Sequence, residues 1–519
     1  MNTRKHILQM LAVIMLLSCP VYGKKAPAQI DKDLKVFETS LAISLKKNVS
    51  NAAIKKIKDE RLRTLATALK AGTYQTEYRV AEYKAFLSPT MLGKQLRIGN
   101  GYSNYENITG IYLSKGKHLV MVEIIAEGKN VELLLPNWNR RAPEGIETTK
   151  DPNGWGIIKK TFPLKNGVNE IDVTDWDGLA YIHYYSDQPK NEKPIKVHFV
   201  NGQVNGYFDI RKNNNEDWKK LIDNAVYPVL DARGRHIQIA YPVEALKKYA
   251  YERGTDLISN YDSLVYRQHR FIGLVKYKRV PENHILARVN YNYYMFRDGD
   301  GVAYMGTQPG YAMGMVAHPD KVISGDPCWG FSHEVGHVHQ LSPYLNWGGL
   351  GEVSNNIVTL YVTTSFGNKS RISAQKNYEK ARKSIIDNKI SYLQDEDVFN
   401  RLVPFWQLQL YFAGAGKQPD FYADLHEAFR RQTDEGGRGH RQKVAEYQLN
   451  FVKQACKVSK TDLTEFFDKW GFFHIGKFEM NDYGKYTYEM TPEMVAACKA
   501  EIKTMNLPKP VVDMTMLED

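Results

Sequence analysis

Four cysteines in 519 residues, at positions 19, 328, 456 and 498, are too few for a disulfide framework. Apart from Cys19, the other three are an odd number, so no complete framework is implied, and Cys456 with Cys498 is the only pair worth testing for a bridge. Long apolar runs are also lacking. Beyond residue 23 no segment is apolar enough to cross a bilayer, which excludes a transmembrane segment from the mature chain. Acidic residues are in the minority, 58 against 70 basic, for a net charge of +12 that favours acidic partners such as sialylated or sulfated glycans and anionic surfaces. Solvated lysine-rich helix faces such as Ile54-Lys55-Lys56-Ile57-Lys58 account for most of that excess. No zinc-knuckle, RNP or helix-turn-helix signature is present, so nucleic acid is not expected as a partner.

Hydrophobic residues make up 43% of the chain and aromatics 12%, enough for a folded protein of two to four domains rather than a disordered one. The chain opens with Arg4-Lys5, then an apolar run at residues 7–17 broken only by Gln9, then small and turn residues. That order is expected of an export signal covering residues 1–23. Leu16-Leu17-Ser18-Cys19 resembles a bacterial lipobox, in which Cys19 would be acylated; cleavage after Val21-Tyr22-Gly23 is the alternative. The expected location is outside the cytoplasm, as a surface lipoprotein or in the periplasm or medium, and a monomer is expected.

The texture of the sequence then changes three times. Residues 24–77 form an N-terminal helical segment, with Leu34, Phe37, Leu41, Leu45, Leu62, Leu65 and Leu69 at helical spacing and a helical stretch expected over residues 34–71. Residues 78–215 carry short alternating runs such as Gly110-Ile111-Tyr112-Leu113, His118-Leu119-Val120-Met121-Val122 and Val131-Glu132-Leu133-Leu134-Leu135, which predict a β-sandwich. Residues 216–473 mix helices and strands, and 474–519 form a C-terminal segment with strand-like runs and one more helix. The fold class is therefore α+β: a helical segment, a β-sandwich and a mainly helical third domain.

Within the third region stands His333-Glu334-Val335-Gly336-His337. Two histidines four apart share one helix face and can reach one ion, while Glu334 lies beside them as a general base. Fourteen residues intervene before Glu352, which can add a third ligand and leave a fourth position open, as a catalytic rather than a structural zinc requires. Leu341-Ser342-Pro343 ends the first helix, and Asn346-Trp347-Gly348-Gly349-Leu350-Gly351 turns the chain into a second helix-like run that includes Glu352. There Glu352 and Asn356 share a face, so the Asn356 amide oxygen is a candidate acceptor for a histidine N–H. Trp329 and Tyr361 are further candidates for the ligand surroundings or the substrate cleft. For the oxyanion donor Tyr361, Tyr344 and His339 are near in sequence, and spacing does not choose among them. Cys328 is read as a small buried residue and not as a ligand.

Asp298-Gly299-Asp300-Gly301 lacks the further acidic ligands of a calcium loop and reads as a hairpin turn. The segments after it, 304–306 or 310–313, are candidates for an edge strand that pairs with an extended substrate. The aromatic run at 402–412 reads as a core helix, with Trp406 and Gln407 able to line a pocket wall.

Taken together, Trp329-Gly330, residues 333–337, Gln340, Trp347-Gly348, Glu352-Val353, Asn355-Asn356-Ile357 and Pro404-Phe405-Trp406-Gln407 resemble the enhancin-like, mucin-degrading zinc metallopeptidases of gluzincin type, over about residues 101–473. The resemblance implies a β-sandwich ahead of a gluzincin catalytic domain. It also implies one zinc ion on His333, His337 and Glu352, Glu334 as catalytic base, and O-glycosylated, mucin-type protein substrates. No carbohydrate-binding module is visible beyond the sandwich. Three functions stay open: a glycoprotein-directed endopeptidase, a gluzincin peptidase indifferent to glycans, and a non-catalytic surface glycan-binding protein. An aminopeptidase would need an acidic cluster ahead of the metal helix, and only Asp320 and Asp326 stand there.

Overall fold

The computed structural model describes residues 28–99, 101–307, 311–432 and 441–519. The expected export signal and Cys19 lie outside the described residues. Among those described, no helix is long and apolar enough to cross a membrane.

The N-terminal segment is helical but broken, in contrast to the long stretch expected over residues 34–71. Helices span Ala28–Asp33, Asn51–Lys55 and Glu60–Ala71. Ser50 and Asp59 start the second and third, their side chains accepting backbone N–H groups from Ala53 and from Arg61 and Leu62. Such caps satisfy orphan donors and favour new helix starts over continuation. Leu62, Leu65 and Ala66 pack against Leu119 and Met121, each buried leucine contributing about 1.5–3 kcal/mol.

Leu119 and Met121 belong to a β-sandwich. One antiparallel sheet is ordered Val80–Tyr83, Ile195–Phe199, Gly116–Glu123, Gly167–Val173. Its neighbour is ordered Gln203–Val204, Asn107–Leu113, Gly178–His183, Glu132–Pro136, Lys159–Pro163. Side chains alternate across a strand: Val120 and Val122 point between the sheets, whereas Leu119 and Met121 point outward under the N-terminal helices. Burial on both faces explains why the strand reads as an unbroken apolar run. The second sheet is covered likewise, because Leu134, Leu179 and Tyr181 join the core of the larger unit that follows. There the Tyr181 hydroxyl donates to the Asp231 carboxylate, with both oxygens at 2.8 Å.

That larger unit is built on a six-stranded mixed sheet: Phe208–Asp209, Val229–Arg233, Ile237–Pro242, Ile285–Asn290, then β2 (Gly301–Met305) and β1 (Met295–Asp298). Asp298-Gly299-Asp300-Gly301 forms the expected hairpin turn between β1 and β2, with the Asp300 N–H donating to Asp298 Oδ1. Gly301 has φ +124°, and a Cβ there would run into the Leu286 carbonyl, so glycine is required. The hairpin corrects the edge-strand expectation: β2 is paired on both sides and Tyr304 is fully buried, while β1 is the outer strand. Of the alternative segment, residue 310 lies outside the described residues and Met313 begins a helix.

Helices α1 (Gly254–Phe271), α2 (Gly325–Val338), α3 (Ser354–Ser365) and α4 (Val398–Ala413) pack over this sheet and one another. Trp406 and Gln407 of α4 hold the C-terminal residues: the Trp406 indole N–H donates to Asp519, and Gln407 Nε2 donates to the carbonyls of Thr515 and Leu517. Near the C-terminus, β3 (Gly476–Asn481) and β4 (Lys485–Met490) form a hairpin before a last helix, Pro492–Thr504. Cys328, Cys456 and Cys498 are all free and buried.

Candidate active site

Helical geometry sets His333 and His337 one turn apart on α2, their rings 4.7 Å apart and nearly perpendicular. The next residue but two on this face, Gln340, lies just past the helix end. Gly336 lets α3 approach: a Cβ there would lie 2.8 Å from the Asn355 carbonyl oxygen. The unspecified fourth position of H-E-x-x-H is thus set by packing between the two helices.

Glu352 lies in the turn just before α3 rather than within a helix. Its Oε2 is 3.1 Å from His333 Nε2 and 3.5 Å from His337 Nε2, and the two Nε2 atoms are 3.2 Å apart. The three donor atoms lie within 4.8 Å of one another, and none of these side chains is more than 26% exposed.

The second nitrogen of each histidine is committed elsewhere. Asn356 Nδ2 donates to the Glu352 carbonyl, which turns its Oδ1 toward His333 Nδ1 at 2.8 Å. Gln340 Nε2 donates to the Gly351 carbonyl and to Ser354 Oγ, which turns its Oε1 toward His337 Nδ1 at 3.1 Å. An amide oxygen at each Nδ1 favours the Nδ1–H tautomer, and both Nε2 atoms are turned toward Glu352, the orientation a metal-ligating histidine needs. Asn355 Nδ2 lies 3.0 Å from His337 Nε2, while its buried Oδ1 has no hydrogen-bond partner among the described residues.

Electrostatics favour positive charge at this centre. Burial works to raise the Glu352 carboxyl, but the two histidines hold it far below the usual carboxylate range. Burial works to lower His333, yet the bond to Glu352 and the charges of Glu334 and Glu352 leave it raised. Glu334, 6% exposed, is pushed above its ordinary value by burial, with the histidines opposing. Two imidazole nitrogens and one carboxylate oxygen so arranged fit a divalent cation with N and O preference, and among the described residues no further His, Cys, Asp or Glu joins the group.

Other candidates fall elsewhere. Trp329 is carried on α2, but its ring is buried between the Arg371 guanidinium, 4.4 Å from its centroid, and Phe399. Tyr361, five residues past Asn356 and so about 140° round the helix, packs on Phe271 of α1 at 4.8 Å. Tyr344 is buried against Phe429 and Tyr447, and His339 bonds Gln268 and Tyr102. Among the described residues, the contacts of these three expected oxyanion donors run to Phe271, Phe429, Tyr447, Gln268 and Tyr102, away from the histidines and Glu352. The hydroxyl that does reach the centre belongs to Tyr483, at the tip of the β3–β4 hairpin, 2.6 Å from Glu352 Oε1. Nothing local in the sequence connects residues 352 and 483, whereas Gln340, three positions after His337, was readable from helical spacing. The outer strand β1 runs beside α2, with Met295 against Gly330.

Comparison with known proteins agrees with this architecture. The family profile described as Peptidase M60, enhancin and enhancin-like, matches residues 205–471, more than half of the chain, and that of the N-terminal domain of M60-like peptidases matches 87–199. A solved metallopeptidase from Bacteroides thetaiotaomicron has a TM-score of 0.79 at 23% identity, over 96% of this chain and 83% of that one. A metallopeptidase solved in complex with Tn antigen has a TM-score of 0.73 at 24% identity, over 86% and 81%. Both likenesses show the fold. The TRPM8 channel-associated factor 3 of Rattus norvegicus is 23% identical over 399 residues, 74% of this chain, and the chain spans about 40% of that relative's length. By its profile match and its fold, the chain belongs to the peptidase M60 family of enhancin and enhancin-like proteins.

Proposed function

We propose that the protein is an exported zinc endopeptidase that hydrolyses peptide bonds in O-glycosylated, mucin-type proteins. His333, His337 and Glu352 hold one ion and Glu334 acts as general base. The observation that carries this reading is the convergence of three donor atoms within 4.8 Å, with both imidazoles oriented by amide acceptors. Residues 216–473 form the catalytic unit and 78–215 the sandwich, with an anchor at Cys19 as the route to the cell surface.

Zinc, when bound, supplies a Lewis acid that makes water nucleophilic at neutral pH and polarises the scissile carbonyl. Glu334 accepts a proton from the attacking water as its oxygen bonds to the carbonyl carbon. It then passes that proton to the amine nitrogen as the C–N bond breaks. Burial keeps its carboxylate out of bulk water, where a poised base is most effective. The free edge of β1 beside α2 offers backbone groups to an extended substrate. A glycoprotein substrate is supported by the relative solved with Tn antigen and by the basic charge.

The test is zinc content and cleavage of an O-glycosylated protein and its deglycosylated form, by the parent and by Glu334→Ala. About one zinc in both, with cleavage only by the parent and only of the glycosylated form, is the expected result. Equal cleavage of both forms would leave a peptidase indifferent to glycans, and a parent without zinc would sink the metallopeptidase reading.

A further inference from the structure

Tyr483 is 84% exposed and sits at φ +53°, a left-handed conformation that a residue with a Cβ adopts at a cost. A large aromatic ring in that conformation on a hairpin tip needs a structural cause. Its neighbour Asp482 supplies the anchor. One Asp482 oxygen, Oδ2, accepts the N–H groups of Gly349 and Gly351, both at 2.9 Å, and pairs with Arg441. Arg441, itself buried, also donates to the carbonyls of Asn346 and Trp347 and to the Tyr486 hydroxyl. Gly351 has no room for a Cβ because Asp482 occupies it. The hairpin tip is therefore bolted to the loop that ends in Glu352.

This anchorage divides the two oxygens of one carboxylate. Glu352 Oε2 faces His333 and His337 at 3.1 and 3.5 Å, and Oε1 receives the Tyr483 hydroxyl at 2.6 Å. A phenol is protonated at neutral pH and donates. A carboxylate whose second oxygen is occupied by a donor offers a cation one oxygen and holds its plane against rotation.

We propose that Tyr483 is a positioning residue of the metal centre: the hairpin presents its O–H to Glu352 Oε1, so that Glu352 ligates through Oε2 alone. This rests on the zinc reading above. Without the phenol, the carboxylate is free to turn and to offer both oxygens, which fills a coordination position that substrate or water needs.

The test uses the full mature chain, Tyr483→Phe against the parent, and two readouts that do not depend on activity. Zinc affinity is measured by competition with a chromogenic chelator; the variant is expected to bind about tenfold more weakly or worse. The Co(II)-loaded forms are compared by visible absorption, and a two-oxygen carboxylate in the variant is expected to raise the coordination number and weaken the d–d bands. Melting of the metal-free proteins checks folding, which removal of one oxygen from an exposed ring should leave unchanged. Equal affinity, or an identical cobalt spectrum, overturns the role of Tyr483 and leaves the zinc reading standing. A parent that binds no zinc overturns that reading instead.

Discussion

Oδ1 of Asn356 lies 2.8 Å from Nδ1 of His333, and the amide cannot turn over because its Nδ2 is spent on the Glu352 carbonyl. One side chain thus ties the first histidine of the motif to the backbone of the proposed acidic ligand, Glu352, 19 positions later in the chain. Asn356→Ala should leave the fold intact and weaken zinc binding by about 10- to 100-fold, since ligand orientation of this kind carries that share of metal affinity. Chelator competition on the purified variant checks it; unchanged affinity would remove Asn356 from the site.

Glu334→Gln preserves shape and removes the proposed base. Zinc stoichiometry should match the parent while cleavage falls by about 10²–10⁴-fold, the usual contribution of a positioned general base. Metal analysis beside single-turnover cleavage of a glycoprotein tests both halves, and residual activity within a few-fold of the parent would assign the base elsewhere.

Gly336→Ala adds a methyl 2.8 Å from the Asn355 carbonyl oxygen and 3.2 Å from its Cβ. Neither neighbour is the end of a flexible chain, so α2 and α3 must part, at a cost of about 1–3 kcal/mol. Urea denaturation should show that loss, and zinc affinity should fall with it because the histidines and Glu352 stand on opposite sides of the opened seam. A variant as stable as the parent would mean that the helices separate freely.

A pH effect on stability is expected at the joint between sandwich and catalytic unit. Burial pushes the Asp231 carboxyl up to about 7, with the bond from Tyr181 opposing. The folded state therefore holds a proton that the unfolded chain, titrating near the ordinary carboxylate value, has already released. Stability from this group is fully present below the unfolded pKa and is lost as pH rises through about 7. The full span is worth roughly 4 kcal/mol. Asp231→Asn keeps a neutral acceptor for Tyr181, so it should lose less stability than the parent between pH 5 and pH 8. Denaturant titrations at the two pH values check this, and parallel losses in both proteins would refute it.

Much of the candidate site was legible because it depends on local geometry. Four residues make one helical turn, so His333 and His337 share a face in any fold that keeps the helix. The proline and glycine turn at 341–351 had to return the chain, which brought Glu352 and Asn356 within reach. The sandwich was legible from alternation, although alternation could not tell that Leu119 and Met121 would be covered by one neighbour and Tyr181 by another. The oxyanion candidates fared worse, since closeness in sequence to a ligand says nothing about direction: Tyr361 turns to α1, and Tyr344 and His339 are enclosed by side chains from distant segments.

Helix period, capping side chains and turn residues act over one or two turns of chain, and they determined the helix that carries the motif, the helix after it and the order of helical, β and mixed regions. Which strand became the outer edge and which hydroxyl reached Glu352 were decided only in three dimensions. β1 is outermost because β2 pairs with the strand Ile285–Asn290, and Tyr483 arrives because Asp482 binds Arg441 and the backbone of Gly349 and Gly351. The bonds of Asp482 to Gly349 and Gly351, and of Tyr483 to Glu352, join residues more than a hundred positions apart, and their free energy exists only once the separate layers have docked.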